Sequence, residues 1–88
     1  MKTAFRKSFE RDLKKIKDRE SLERIRKVIE GVEAADDLQE IGGLRKIAGT
    51  PNFYRIRVGD YRIGTVVEGD KVDFVRCLPR RDLYRFFP

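Results

Sequence analysis

The hydrophobic rhythm of this 88-residue chain changes once, at the paired glycines Gly42-Gly43. Before them, apolar residues recur every three or four positions; after them, they alternate. Side chains repeat every 3.6 residues around a helix and every 2 along a strand, so neither pattern can serve the other element. A chain patterned this way builds helices first and a strand meander second. Phe9, Leu13 and Ile16 share one helical face behind Ser8, the expected N-terminal cap. Asp18 is the expected cap of a longer helix, lined by Leu22, Ile25, Ile29 and Val32 and ending near Ala35. Its outward side offers Glu20 with Arg24 and Glu23 with Lys27, favourable four-residue pairs on a solvated face.

The other elements follow from turn chemistry. Lys2–Lys7 reads as a short opening strand, Leu44–Ala48 as another, and Gly49-Thr50-Pro51-Asn52 as a turn. Phe53–Val58 and Tyr61–Glu68 are strands joined by the two-residue turn Gly59-Asp60. Gly69-Asp70 leads into a last strand, Lys71–Leu78, which Pro79 ends, and Asp82–Phe87 is a short helix or turn. The expected fold is one α+β domain over residues 1–88: an N-terminal strand, a two-helix hairpin on one face of an antiparallel sheet meander, and a short C-terminal helix.

Composition narrows the chemistry. The chain has no histidine, which excludes histidine acid–base catalysis and histidine-ligated metals. Its one cysteine, Cys77, cannot form an internal disulfide and fits a reducing compartment. No apolar run is long enough to span a bilayer, so a soluble, cytoplasmic protein without a membrane partner is expected. The net charge of +6 is uneven. Residues 1–40 carry 11 basic and 10 acidic side chains, residues 41–88 carry 10 and 5, and eight of the latter 10 cations are arginines. Arginine grips phosphate through a planar fork, and a basic half suits a polyanionic partner.

The Gly59-Asp60 turn fixes where those arginines stand. Val58 must oppose Tyr61, Ile56 oppose Ile63, and Tyr54 oppose Thr65, giving an apolar face, continued by Val67, for the helices. On the other face Arg57 must oppose Arg62, and Arg55 must oppose Gly64. Like charges directly opposite one another destabilise a sheet. Three arginines around a glycine suggest a basic hollow where a phosphodiester relieves the repulsion, with Gly64 open to close approach. Behind it Arg80, Arg81 and Arg85 flank Tyr84, which can stack on a base if the segment folds back. Phe86 and Phe87 are expected to cover a sheet end.

Tyr54-Arg55-Ile56-Arg57-Val58-Gly59-Asp60-Tyr61-Arg62-Ile63 followed by Arg80-Arg81-Asp82-Leu83-Tyr84-Arg85 resembles the RelE branch of the RelE/ParE superfamily of toxins. Phe5-Arg6-Lys7-Ser8-Phe9-Glu10-Arg11-Asp12-Leu13 is similar to that family's first strand and helix, so the resemblance spans the chain. It implies the toxin of a type II toxin–antitoxin pair: a metal-independent endoribonuclease, or mRNA interferase. Such a toxin enters the ribosomal A site, cuts the mRNA there through the RNA's own 2′-hydroxyl, and so inhibits translation. By position, the resemblance gives catalytic roles to Arg55, Arg57, Arg62, Arg80 and the stacking Tyr84. Lys46 and Arg45, with Arg81 and Arg85, are the accessory RNA-binding candidates. The implied partners are a cognate antitoxin, the ribosome and mRNA. Two positions depart from the family: Pro79 replaces a frequent histidine, and Arg57 a lysine proposed as general base. Arginine is a poor proton acceptor near neutral pH, so that step falls to Tyr84, to solvent or to the ribosome. A ParE-type gyrase inhibitor and a catalytically weakened ribosome-binding homologue are the alternatives.

Overall fold

The computed structural model describes residues 1–88. In chain order the elements are β1 (Lys2–Phe5), α1 (Lys7–Lys15), α2 (Arg19–Ala34), a 3-10 turn (Leu38–Glu40), β2 (Leu44–Lys46), β3 (Phe53–Val58), β4 (Tyr61–Glu68), β5 (Lys71–Pro79) and α3 (Leu83–Phe86). The strands form one five-stranded sheet in the order β1-β5-β4-β3-β2. The expected α+β architecture is present, with one addition: β1 joins β5 in parallel, which makes the sheet mixed. The two helices and strands β2–β4 lie between β1 and β5 in the chain and supply the long connection that parallel pairing needs.

The helices cover one sheet face, α1 against β5 and α2 against β3 and β1. Phe9, Ile25 and Val32 come down from them onto Ile56, Ile63, Val72 and Phe74, all fully enclosed. Each such side chain contributes on the order of 1.5–3 kcal/mol. Asp18 caps α2 as expected: its carboxylate accepts from the Glu20 N–H at 3.2 Å and the Ser21 hydroxyl at 2.6 Å. Glu20 and Arg24 pair at 2.9 Å, but the second exterior pair is Arg26 with Glu30 at 3.4 Å rather than Glu23 with Lys27.

Three expectations about element ends are corrected. β1 stops at Phe5, because Arg6 is already the N-cap of α1. β2 stops at Lys46, because the chain turns at Ile47, where the Thr50 hydroxyl closes the turn on the Ile47 carbonyl at 2.7 Å. Ser8 lies inside α1 and caps nothing; its hydroxyl donates to the Val75 carbonyl at 2.6 Å. The reason is tertiary. β1 pairs only with Lys71–Phe74, which leaves the rest of β5 with an open edge. The start of α1 runs along that edge and satisfies it. The Arg6 N–H donates to the Phe74 carbonyl at 2.9 Å, Ser8 serves Val75, and the Asp12 carboxylate accepts from the Cys77 N–H at 2.9 Å. An unsatisfied strand edge is an invitation to aggregate, and α1 removes it.

Asp12 also receives the Arg76 guanidinium through two bonds of 2.7 and 3.2 Å. Asp12 is buried, and the paired carboxylate raises the Arg76 pKa above its ordinary value. Arg76 is therefore a structural cation rather than part of a free basic face. Next to it, burial and then the Asp12 charge push the Cys77 thiol up to about 12. Near neutral pH almost none of it is thiolate, the reactive form. Alkylation with iodoacetamide at pH 8 should therefore be slow in the native protein and fast in denaturant. Rapid native labelling would contradict this burial.

Candidate functional site

The hairpin has the register that its turn dictates. Val58 pairs with Tyr61, Ile56 with Ile63, Tyr54 with Thr65, Arg57 with Arg62 and Arg55 with Gly64. Gly59 takes φ +58°, a left-handed geometry that glycine adopts freely at the first position of a two-residue hairpin loop. On the sheet face away from the helices Arg45, Arg55, Gly64 and Arg76 form one row across β2, β3, β4 and β5. Arg57 and Arg62 form the next.

Arg62 is the centre of this face. It is only 8% exposed, and its guanidinium donates to the Gly59 and Tyr61 carbonyls at 2.8 and 2.9 Å. It has no carboxylate partner. Burial lowers its pKa from the ordinary value, and the charges of Arg57, Arg55 and Arg80 lower it further. All three guanidiniums are thus close enough to act on the Arg62 charge. Arg55 is half-buried and donates to the Gly43 carbonyl at 2.9 Å, while Arg57 and Arg80 are exposed. None of the four takes part in an ion pair. Tyr84 lies near enough to act on Arg62 in the opposite sense, and it is 62% exposed. A buried, uncompensated cation among three others, with an open tyrosine ring beside it, is suited to a phosphodiester and an adjoining base.

The C-terminal segment does fold back over the sheet, but not as the glycine suggested. Gly64 is not an open floor for a ligand: the Phe87 ring occupies the space. A Cβ on Gly64 would lie 2.6 Å from Phe87 Cδ2. Phe87 is buried and stacks on Phe53 with ring centres 5.2 Å apart, whereas Phe86 is exposed and does not cover the sheet end. Arg76 and Arg85 instead lie over the Phe86 ring, at 5.9 and 5.7 Å. Leu83 and Phe87 bury their side chains from two positions four residues apart, and Tyr84 stands exposed between them. Sequence patterning missed this clamp, because a glycine facing an arginine carries no mark of the distant aromatic that fills it. Gly64→Ala should expel the ring, cost on the order of 1–3 kcal/mol and speed tryptic cleavage after Arg85 in the native state. An unchanged melting temperature and digestion rate would rule out the plug.

The accessory candidates divide. Arg45 is exposed on β2 directly beside Arg55, on the same face. Lys46 pairs with Tyr54, and strand alternation puts it on the opposite face, so it does not join the cluster. Arg81 lines an open hollow with Asp60, Pro79 and Arg80, while Arg85 is drawn to Phe86; neither is among the charges that act on Arg62. No three His, Cys, Asp or Glu side chains are grouped as a metal site would require. No helix is long and apolar enough to cross a membrane.

Residues 4–84 match the family profile described as "ParE toxin of type II toxin-antitoxin system, parDE". Across its whole length the chain is 42% identical to Toxin RelE3 of Methanocaldococcus jannaschii, whose whole length is also covered. The fold is similar to the crystal structure of a RelB–RelE antitoxin–toxin complex from Methanococcus jannaschii. The TM-score there is 0.81 at 40% identity, over 97% of this chain and 99% of the other. The archaeal RelE–RelB complex from Pyrococcus horikoshii shares the fold at TM-score 0.72 and 22% identity, over 90% of this chain and 93% of that one.

Proposed function

This chain belongs to the RelE/ParE superfamily of type II toxin–antitoxin toxins, on its RelE branch, and from that footing we propose that it is a ribosome-dependent mRNA endoribonuclease. The observation that carries the proposal is Arg62, buried without a counter-ion among Arg55, Arg57 and Arg80. A scissile phosphate bound there would supply the missing anion.

In the cleavage step the 2′-oxygen bonds to phosphorus while the bond from phosphorus to the 5′-oxygen breaks. The 2′-proton is lost, the leaving oxygen gains one, and a 2′,3′-cyclic phosphate remains. Negative charge on the phosphate grows toward a dianionic phosphorane. Arg62, fixed by two backbone carbonyls, needs no reorganisation to meet it, which is the source of large electrostatic rate terms. Arg55 and Arg57 complete the cradle, Arg80 adds charge from the C-terminal side, and Tyr84 stacks on a base. Arginine is a poor proton acceptor, so the 2′-proton goes to Tyr84, to water or to the ribosome. Arg45 extends the cationic row beyond Arg55 and binds the neighbouring backbone.

A cognate antitoxin is the proposed second partner, acidic and partly disordered until bound; the relatives above include toxins solved with RelB. The site of action, the translating ribosome, places the protein in the cytoplasm.

Added to a translating extract, the protein should cut mRNA inside codons, and only when ribosomes are present. Intact mRNA at equimolar protein and ribosome would reject the proposal. Lost gyrase supercoiling with whole mRNA would favour the ParE-type activity. Ribosome association without fragments would favour a weakened binder.

A further inference from the structure

We propose that the exposed face of α1 is a second polyanion-binding surface, separate from the arginine cluster, that takes the phosphate backbone of folded RNA. Lys7, Arg11, Lys14 and Lys15 follow helical spacing, and all four are exposed. Lys7 to Lys15 spans about 12 Å along the helix axis. None of the four takes part in an ion pair.

Ordinary solvation of a surface helix looks different, and α2 supplies the comparison. It carries four cations (Arg19, Arg24, Arg26, Lys27) and four carboxylates (Glu20, Glu23, Glu30, Glu33), which sum to zero, and two ion pairs of four-residue spacing link them. α1 has four cations against two carboxylates, and one of those is Asp12. The Asp12 carboxylate is turned inward and already engaged by Arg76 and the Cys77 N–H, so it cannot offset the stripe. Only Glu10 remains to do so.

The surface is also shaped. Between α1 and β5 lies an open hollow lined by Ser8, Arg11, Asp12, Lys14, Lys15 and Arg76, with no hydrophobic residue among them. Arg55, Arg57, Arg62, Arg80 and Tyr84 do not reach it. An acidic protein segment would find charge here but nothing apolar to bury, and protein interfaces build their centres from apolar and aromatic contacts. A nucleic-acid backbone needs only charge and hydrogen bonds. Lysine, a compact hydrated charge, suits backbone contact without fixed geometry, in contrast to the arginines of the cluster. If the protein is the proposed ribosome-dependent nuclease, this surface rests on ribosomal RNA while the cluster holds mRNA.

The test uses an RNA duplex of about 16 base pairs, which has no single-stranded segment to enter the cluster. The variant Lys7→Gln, Arg11→Gln, Lys14→Gln, Lys15→Gln should keep the native melting temperature and bind the duplex at least tenfold more weakly. Its plot of log affinity against log salt should flatten by about 2–4 units, roughly one per lost contact. Lys14→Gln with Lys15→Gln alone should give about half of that change and serves if the larger variant is unstable. Arg62→Ala should bind the duplex like the parent, so failure of the cleavage proposal would leave this result standing. A parent chain that ignores the duplex, or a fourfold variant with unchanged affinity and slope, overturns the proposal. Unchanged duplex binding with weakened binding of a polyglutamate peptide assigns the face to acidic protein and equally overturns it.

Discussion

Arg62→Ala should lower ribosome-dependent mRNA cleavage by about 10²–10³-fold, the usual cost of removing one preorganised donor from a developing oxyanion. Thermal stability should change little, within about 1 kcal/mol. Those two outcomes rarely coincide for a buried residue, and the physics of this site is why they should here. Arg62 is buried, yet what surrounds it is unfavourable to its charge: desolvation first, then Arg57, Arg55 and Arg80. Alanine removes that repulsion as well as two hydrogen bonds to the Gly59 and Tyr61 carbonyls, and the two changes offset. A structural arginine would show the reverse pattern, a lower melting temperature with cleavage in proportion to folded protein. Arg62→Lys should recover only part of the rate, because an ammonium lacks the fork that holds two phosphate oxygens at once. A single-stranded RNA should raise the melting temperature of the parent by mass action, and Arg62→Ala should lose most of that shift. Full cleavage by Arg62→Ala would remove the central residue from the site.

Asp12→Ala should be the most damaging single substitution outside the hydrophobic core, at about 3–5 kcal/mol. Domains of this kind have only about 5–15 kcal/mol in total, so this one substitution would remove a large share of the stability. The carboxylate meets three donor groups, Nε and Nη2 of Arg76 and the Cys77 N–H. Without it a partly buried guanidinium and a strand-edge N–H lose their partner together. Urea denaturation measures the loss as a fall in midpoint with little change in slope. Asp12→Leu combined with Arg76→Met should recover most of the stability, because a buried ion pair is costly to break but cheap to replace with apolar side chains. If Asp12→Ala unfolds at the parent's midpoint, the pair carries no stability and the edge of β5 is held by other contacts.

The hairpin and the C-terminal segment show how far a sequence can speak for itself. Gly59-Asp60 sets the β3–β4 register, and period two then sends each side chain to one face or the other; the Arg57–Arg62 and Arg55–Gly64 pairs follow without any tertiary information. The helix faces and the Asp18 cap were legible for the same reason: each depends on residues within one or two turns. Ser8 stands where a cap is expected, yet the group it serves, the Val75 carbonyl, lies 67 residues away, beyond the reach of any local pattern. Lys46, a candidate by family resemblance alone, stands off the cluster because alternation admits only one of two adjacent residues to a given face, and Arg45 takes that place.

Local spacing thus determined the helices, the hairpin register and the confrontation of arginines on one sheet face. Docking of distant segments decided the rest: β1 beside β5, α1 along the open edge, Asp12 on Arg76, and Phe87 over Gly64. The division has one physical cause. Register and periodicity are fixed by the backbone geometry of neighbouring residues. Edge closure, buried pairing and cavity filling depend on which surfaces meet when the chain closes on itself, and a linear pattern does not record that meeting.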